Sequence, residues 1–567
     1  MMVKENLATP PGSAILGESI PATPHALSVS LPTWQDNVYW AEGDARVVDK
    51  MATGYPRFFV HRSIQKLARL VLELLDNRWD MAMLFPTVRT SNECLRHIKK
   101  HAPEDQDTSG IAVVHFELKP SEDVHEDIYG LHAVLFPPEL WKIAKSFWQN
   151  AGMGISSRYA ESILEEIQKG DPLRVIEEPQ TSFLNEYPKA LEQKRNIKRR
   201  IANLINGGNG SEPTIQEPTG GTSLVTEKDI YLYPTGMSGI WHAHQLSLEF
   251  KPDQKCICFG FSYTDTIKVL ERWGPGSVTF FNDPDSNLEA LDSFLSTESV
   301  AALFCEVPSN PLLQTPNLPR LRALADKYNF LIVVDETVGN FVNVDVLQFA
   351  DIAATSMSKL FSGSANVMGG SLVLNPNSKN YNYMQAYQKQ HFVDDYYHED
   401  AIVMDNNSVD FASRVRTINS NTVTLCEYLR NRSLSFAGPN SKNPNPEHER
   451  FVIKDVFFPK WVSRENYDHC RRKNAENNFG PLFSLTFVSK TASHAFYDAL
   501  KCAKGPSLGT NFTLACPYTI LAHYNERPWA ASYGVEEGIV RLSVGMEDPE
   551  TLLGWIKYAL EEAERTR

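Results

Sequence analysis

Lys359 follows Ser356 and Ser358 in "SMSK", directly after the apolar run "ADIAAT" and just before "GSANVMGG". An amine placed there can act as a nucleophile, and the flanking hydroxyls suit an anion. Alone, it reads more simply as a surface charge. Three other residues follow apolar runs in the same way. Asp335 closes "FLIVV", where a buried carboxylate demands a cationic partner. Asn310 comes shortly after "VAALFCEV" and offers an amide. "TGMSGIWHAHQL" follows "IYLYP" and reads as a turn opening a helix, where the Gly236 and Met237 N–H groups and the helix dipole attract an anion.

An aspartate that can pair with a pyridinium nitrogen, a lysine that can form a Schiff base and a helix N-terminus with hydroxyls for a phosphate together describe a pyridoxal-phosphate site. No member is specific by itself; Asp335 reads equally as a helix cap. The order of the four and their common placement after apolar runs carry the reading.

From about Asp229 onward "IYLY", "KCICFGF", "SVTFF", "VAALFCEV" and "FLIVVDE" alternate with helical stretches such as "NLPRLRALADKY". Nearly continuous apolar strands alternating with helices predict a mostly parallel sheet covered on both faces, with the site beyond its carboxyl ends. The fold class expected is therefore α/β. The organisation expected is an N-terminal arm and helical region over 1–75, an inserted α/β region over 76–180 with strands in "GIAVVHFEL" and "LHAVLF", a cofactor-binding large domain over 181–417, and a smaller C-terminal α/β domain over 418–567. The first thirty or so residues, rich in Pro, Ser and Ala, read as a mobile arm. The Gly/Pro/Thr stretch Ile205 to Leu224 reads as a flexible loop, since it lacks the Gly-Lys-Ser/Thr ending of a phosphate loop.

A net charge of -14 over 567 residues argues against broad nucleic-acid binding, which needs a basic surface. The basic run "KRNIKRR" reads as a solvated helix face. Eight scattered cysteines have no zinc-ligand spacing, so no metal is expected, and they fit a reducing compartment. The N-terminus lacks the apolar core of a signal peptide, and no apolar run reaches the roughly 18 residues of a membrane span. The expectation is a soluble cytoplasmic protein. No G-x-G-x-x-G follows a strand, which disfavours a nicotinamide oxidoreductase, and a non-catalytic scaffold would not need Lys359 and Asp335 together with Arg541 of "VRLSVGMED".

The motifs "TGM", Tyr263 in "GFSYTDTIKVLERWG", "EVPSNP", "DET", "SMSK", "GSANVMGG" and "VRLSVGMED", in that order, resemble the cystathionine γ-synthase group of Cys/Met-metabolism pyridoxal-phosphate enzymes. "LPTWQD", "EGDARVV", "GYPRFF" and "TLACPYTILAHYNE" look like its fungal branch. The resemblance implies a fold-type I transferase that acts in transsulfuration and methionine biosynthesis as a homodimer or homotetramer. It implies that Lys359 carries the cofactor and shuttles protons, Asp335 holds the ring nitrogen, and Tyr263 stacks on the ring. Gly236, Met237, Ser356 and Ser358 would hold the phosphate, with Asn310 at the ring hydroxyl and Thr337 beside the ring. Arg541, assisted by Ser507, would bind the substrate carboxylate. A Tyr-x-Arg that crosses a dimer to the neighbour's phosphate belongs to the pattern; Tyr55 and Arg57 compete for it with Arg158, and Tyr55 with Arg57 is preferred. Glu336 stands where the pattern has asparagine, and "GSAN" where it has "GHSD". The implied reaction joins an O-acylated homoserine, O-acetyl favoured, to cysteine. A carbon nucleophile or cystathionine cleavage are the sibling activities.

Overall fold

The apolar runs of the central sequence become the strands of one seven-stranded sheet: β7 (Ile230–Tyr233), β8 (Lys255–Phe259), β9 (Ser277–Phe280), β10 (Val300–Glu306), β11 (Leu331–Asp335), β12 (Ile352–Ser356) and β13 (Gly370–Leu374). The computed structural model describes residues 15–56, 58–120, 128–177, 188–208, 223–280, 286–437, 450–473 and 476–567. Of the Ile205–Leu224 stretch, residues 209–222 lie outside the described residues. The strand order is β7-β13-β12-β11-β10-β8-β9, with β13 alone running against the rest. Helices cover both faces, so β10 is buried along its whole length, as continuous apolar runs require.

The inserted region is an antiparallel sheet of β3 (Met81–Phe85), β4 (Ala112–Leu118), β5 (Tyr129–Phe136) and β6 (Arg174–Ile176), in the order β3-β5-β4-β6. One face carries the helices Val88–His101 and Trp141–Ala151, the other Arg62–Leu74 and Ser157–Lys169. Phe85, Phe147 and Trp148 of this region share one apolar core with Met237, Ile240 and Trp241 of the helix Gly236–Phe250. The C-terminal sheet, β14 (Ile453–Phe457), β15 (Leu482–Phe487), β16 (Ala503–Lys504), β17 (Leu514–Pro517) and β18 (Val540–Ser543), has the order β14-β15-β18-β17-β16. The helix Phe411–Arg430 runs unbroken through residues 417 and 418.

From Ile15 onward the N-terminal segment is packed, which corrects the reading of a thirty-residue mobile arm; residues 1–14 lie outside the described residues. β1 (Ser19–Ile20) pairs with β2 (Ser28–Val29), and Leu27, Val29 and Leu31 are buried. "LPTWQD" begins a helix, Trp34–Glu42: Thr33 and Asp36 form a reciprocal capping box, and Trp34 stacks on His494 with ring centroids 4.3 Å apart. "KRNIKRR" is helical, within Pro188–Ile205; Arg195 and Arg199 are on a solvated face as expected, but the rest of the run is packed. Ile197 and Ile201 enter the core, while Lys194 pairs with Asp394 at 2.7 Å and Arg200 with Asp405 at 2.9 Å.

Candidate active site

The carboxyl ends of the central strands open into a cavity continuous with solvent, about 1010 Å³ with its open mouth included. Register aligns what they deliver: Glu306 stands opposite Asp335, Asp335 opposite Ala354, and Ser356 opposite Gly370. After β7 the chain turns at Thr235, whose hydroxyl accepts from Ser238 N–H at 3.0 Å and donates to the Gly152 carbonyl at 2.9 Å. This cap leaves the first N–H groups of the helix Gly236–Phe250, those of Gly236 and Met237, without helical partners. A Cβ at Gly236 would lie 2.7 Å from Ser356 Cβ, so only glycine lets the turn approach Ser356 this closely. Ser358 Oγ accepts from Gly369 N–H at 3.0 Å, and Thr337 Oγ1 accepts from Ser356 N–H at 2.8 Å.

Asp335 accepts the Thr337 N–H at 2.9 Å. Among the described residues no lysine or arginine lies within ion-pair distance of it, and burial pushes its carboxyl above the usual carboxylate range. Glu306 accepts from Tyr263 N–H at 2.5 Å and Asn310 N–H at 3.1 Å. It therefore ties together the two loops that carry those side chains. Burial first, and then the charge of Asp335, push Glu306 up to about 8.

Lys359 Nζ donates to Ser507 Oγ at 3.0 Å and to Tyr55 Oη at 3.2 Å, and lies 4.3 Å from the Tyr55 ring centroid. Ser507 has φ 102, a strained left-handed backbone for a residue with a Cβ. That conformation accompanies two contacts, its hydroxyl at Lys359 and its carbonyl 2.6 Å from Arg541 Nη2. Arg541, on β18, also donates through Nη1 to Asn310 Oδ1 at 3.1 Å. Its guanidinium is thereby aimed across the cavity, 5.2 Å from the Tyr518 ring centroid.

The structure brings together Tyr55, Gly236, Met237, Tyr263, Asn310, Asp335, Thr337, Ser356, Ser358, Lys359, Ser507 and Arg541 around this one cavity. Arg57 lies outside the described residues. Arg158 does not line the cavity; it pairs with Asp400 at 2.9 Å and donates to the Asn366 carbonyl at 2.7 Å. Glu336 is also turned away from the cavity: it is buried beside Thr355. Sequence reasoning gave no role to Glu306, although it closes β10 as Asp335 closes β11. It also passed over Phe58, Cys516 and Tyr518, which line the wall and sit within segments already singled out by their motifs.

These residues fit pyridoxal phosphate. A buried carboxylate without an ion-pair partner among the described residues, the N–H groups that open a helix and a lysine amine line the same cavity, the groups that a pyridinium, a phosphate and an aldehyde require. The buried Tyr518 hydroxyl has no partner among the described residues. Among those residues no group of three His, Cys, Asp or Glu is placed to hold a metal ion.

Residues 222–561 match the family described as Cys/Met metabolism PLP-dependent enzyme, and residues 63–156 match the N-terminal domain of fungal trans-sulfuration enzymes. A cystathionine gamma-synthase-like enzyme of Amanita muscaria, iboG2, is 42% identical over 96% of this chain and 96% of its own. The cystathionine gamma-synthase of Neurospora crassa is 38% identical over 97% of this chain and 98% of its own. The solved structure of a cystathionine gamma-lyase from yeast aligns with a TM-score of 0.52 at 20% identity, covering 68% of this chain and 90% of that one, a likeness of fold. With the motifs in order around one cavity and two family regions matched, the chain belongs to the Cys/Met-metabolism enzymes that depend on pyridoxal phosphate.

Proposed function

We propose that the protein catalyses γ-replacement on an O-acyl-L-homoserine, acetyl being the preferred acyl group, with L-cysteine as nucleophile and cystathionine as product. The carrying observation is the convergence of Lys359, Asp335 and Arg541 on one cavity. The full-length similarity to the Neurospora crassa cystathionine gamma-synthase supports the choice of reaction.

Pyridoxal phosphate, when bound, supplies an electron sink for the substrate's α-carbon. The rest is the work of this chain. Arg541 receives the substrate carboxylate on a planar fork already steadied by Asn310 and the Ser507 carbonyl. Lys359 Nζ takes up the α-proton, its position held by the Ser507 and Tyr55 hydroxyls. Asp335 would hold the protonated ring nitrogen of the cofactor by its negative charge, and Tyr263, lining the same cavity, would pack against the ring. At Cγ the bond to the acyloxy oxygen breaks and a bond to the cysteine sulfur forms; the thiol proton and the carboxylate leave as the free acid. Eight buried, unbridged cysteines suit a reducing compartment such as the cytoplasm. Among the described residues no helix is long and apolar enough to cross a membrane.

A second reading has its own observation. The remaining wall is apolar, built from Phe58, Pro308, Val338, Leu508, Leu521 and Ala522. Among the described lining residues the charged ones, Glu306, Asp335, Lys359 and Arg541, already have tasks. An uncharged carbon acid would therefore fit beside the donor without a new charge partner. Mass spectrometry of reactions with O-acetyl- and O-succinyl-homoserine decides. Cystathionine formed from cysteine faster than oxobutanoate from donor alone supports the first reading. A γ-carbon adduct with a β-keto ester, and no cystathionine, would replace it with the second.

A further inference from the structure

The register partner of Arg541 on β17 is Cys516, and two residues further on, where β17 gives way to the helix Tyr518–His523, stands Tyr518. Side chains two residues apart along a strand share a face, and a diagonal neighbour across a strand pair is within reach of an aromatic side chain. The Tyr518 ring centroid accordingly lies 5.2 Å from the Arg541 guanidinium carbon. Tyr518 is only 3% exposed and lines the cavity, yet its hydroxyl meets no hydrogen-bond partner among the described residues. Glu306, whose charge reaches it, instead accepts the Tyr263 and Asn310 N–H groups. A buried donor left in this way is costly unless something entering the cavity accepts its proton. Burial, against the charge of Arg541, pushes the phenol above its ordinary range, so it stays a neutral donor.

The anion that must be seated beside Arg541 is the substrate carboxylate. A guanidinium has five N–H donors; Asn310 and the Ser507 carbonyl take two, and the Cys516 sulfur draws on the same group. An ionised carboxylate offers about four lone-pair sites, more than the remaining donors of Arg541 fill. We propose that Tyr518 completes the carboxylate subsite: its hydroxyl donates to the carboxylate that Arg541 receives. The tyrosine adds a directed donor without a second charge, so the subsite keeps one positive charge for one carboxylate. Donors from two elements hold that carboxylate from two directions and disfavour amines that lack it. The inference rests on the reading of Arg541 as the receiver of the carboxylate and adds to it a second residue.

The test uses the cofactor-loaded protein and two carbonyl reagents, aminooxyacetate and methoxyamine, of which only the first carries a carboxylate. Both react with bound pyridoxal phosphate and change its visible spectrum. Tyr518→Phe keeps the ring against Arg541 and removes the hydroxyl alone. A hydrogen bond to a charged group corresponds to about 10–100-fold in binding, so the second-order rate with aminooxyacetate should fall by about that factor, while methoxyamine reacts as with the parent. Arg541→Lys is expected to show the same selectivity. Equal slowing of both reagents in Tyr518→Phe would overturn the proposal, since it would report a general loosening of the cavity. Parent-like rates with both reagents in Tyr518→Phe, beside a selective loss in Arg541→Lys, would overturn it and leave Arg541 in its place. Selectivity lost in neither variant would remove both residues from the subsite. Neither reagent carries an acyl group or meets a second substrate, so the γ-replacement reading can fail in the product screen while this proposal stands, and the reverse.

Discussion

Glu306 and Asp335 stand opposite each other as register partners at the last residues of β10 and β11. Burial first, and then the like charge of Asp335 at the adjacent strand end, push Glu306 up to about 8. Glu306 keeps its place through the Tyr263 and Asn310 N–H groups. Glu306→Gln retains one acceptor and turns an amide nitrogen toward the other N–H. Leaving a buried donor unsatisfied costs about 1–3 kcal/mol. The variant is expected to fold, with kcat/KM lowered about tenfold or more through misplacement of Tyr263 and Asn310. Wild-type kinetics in Glu306→Gln would leave the residue without a positioning role.

Lys359→Ala removes the group that moves the α-proton. A positioned acid–base group contributes about 10²–10⁴-fold, so turnover should fall by at least about 100-fold while circular dichroism is unchanged. Borohydride reduction of the native protein should attach cofactor to Lys359 alone, as peptide mapping will show; label on another lysine would move the assignment.

Asp335→Asn keeps the shape and the Thr337 contact but removes the charge. Loss of one preorganised electrostatic partner costs about 10²–10³-fold. Exchange of the substrate α-proton, followed by NMR in deuterated water, should slow together with turnover. Unchanged exchange would return Asp335 to a structural role.

Arg541→Lys retains a positive charge and loses the planar fork held by Asn310 and Ser507. A hydrogen bond to a charged group is worth about 1.5–3 kcal/mol, so KM should rise about 10–100-fold, with a smaller change in kcat. Arg541→Ala should lose more. Steady-state kinetics in which neither variant alters KM or kcat/KM would put the carboxylate elsewhere.

Glu336 makes a pH-dependent difference away from the cavity. Burial pushes its carboxyl from the ordinary value of 4.5 up to about 8, against the opposing charge of Arg472. Between those values the folded chain holds a proton that the unfolded chain releases, so this contribution to stability is complete below about 4.5 and is lost as pH rises through about 8. Glu336→Gln removes the titration. Its Tm relative to the parent should therefore climb as pH is raised from 5 to 9, as calorimetry at several pH values will show; a constant difference would show that Glu336 does not titrate there.

The chemistry at the sheet edge was legible because each residue ends or follows its own apolar run: β10, β11 and β12 are continuous enough to announce their ends, with Asp335 the last residue of β11 and Asn310 and Lys359 just beyond β10 and β12. What joins distant segments was not legible. Choosing between Tyr55 and Arg158 required knowing where two N-terminal segments fall on a domain hundreds of residues away. The run holding Lys194 and Arg200 looked solvated because its partners, Asp394 and Asp405, come about 200 residues later. Leu27, Val29 and Leu31 were hidden among prolines and serines, where alternation over so few residues carries little signal.

The shared core between the inserted sheet and the helix Gly236–Phe250 also sets an order of events during synthesis. Phe147 and Trp148 leave the ribosome roughly 100 residues before that helix is complete, an interval of roughly 5–20 s at the usual elongation rate. For that time the part of their apolar face that packs on Met237, Ile240 and Trp241 lacks this cover, although Phe147 already meets Phe85. A chain started at Asp229, conversely, would make Met237, Ile240 and Trp241 with nothing to cover them. The N-terminal half and the turn that opens the helix at Gly236 are thus inseparable, and chaperone demand during translation should rise when either side of this seam is made more polar.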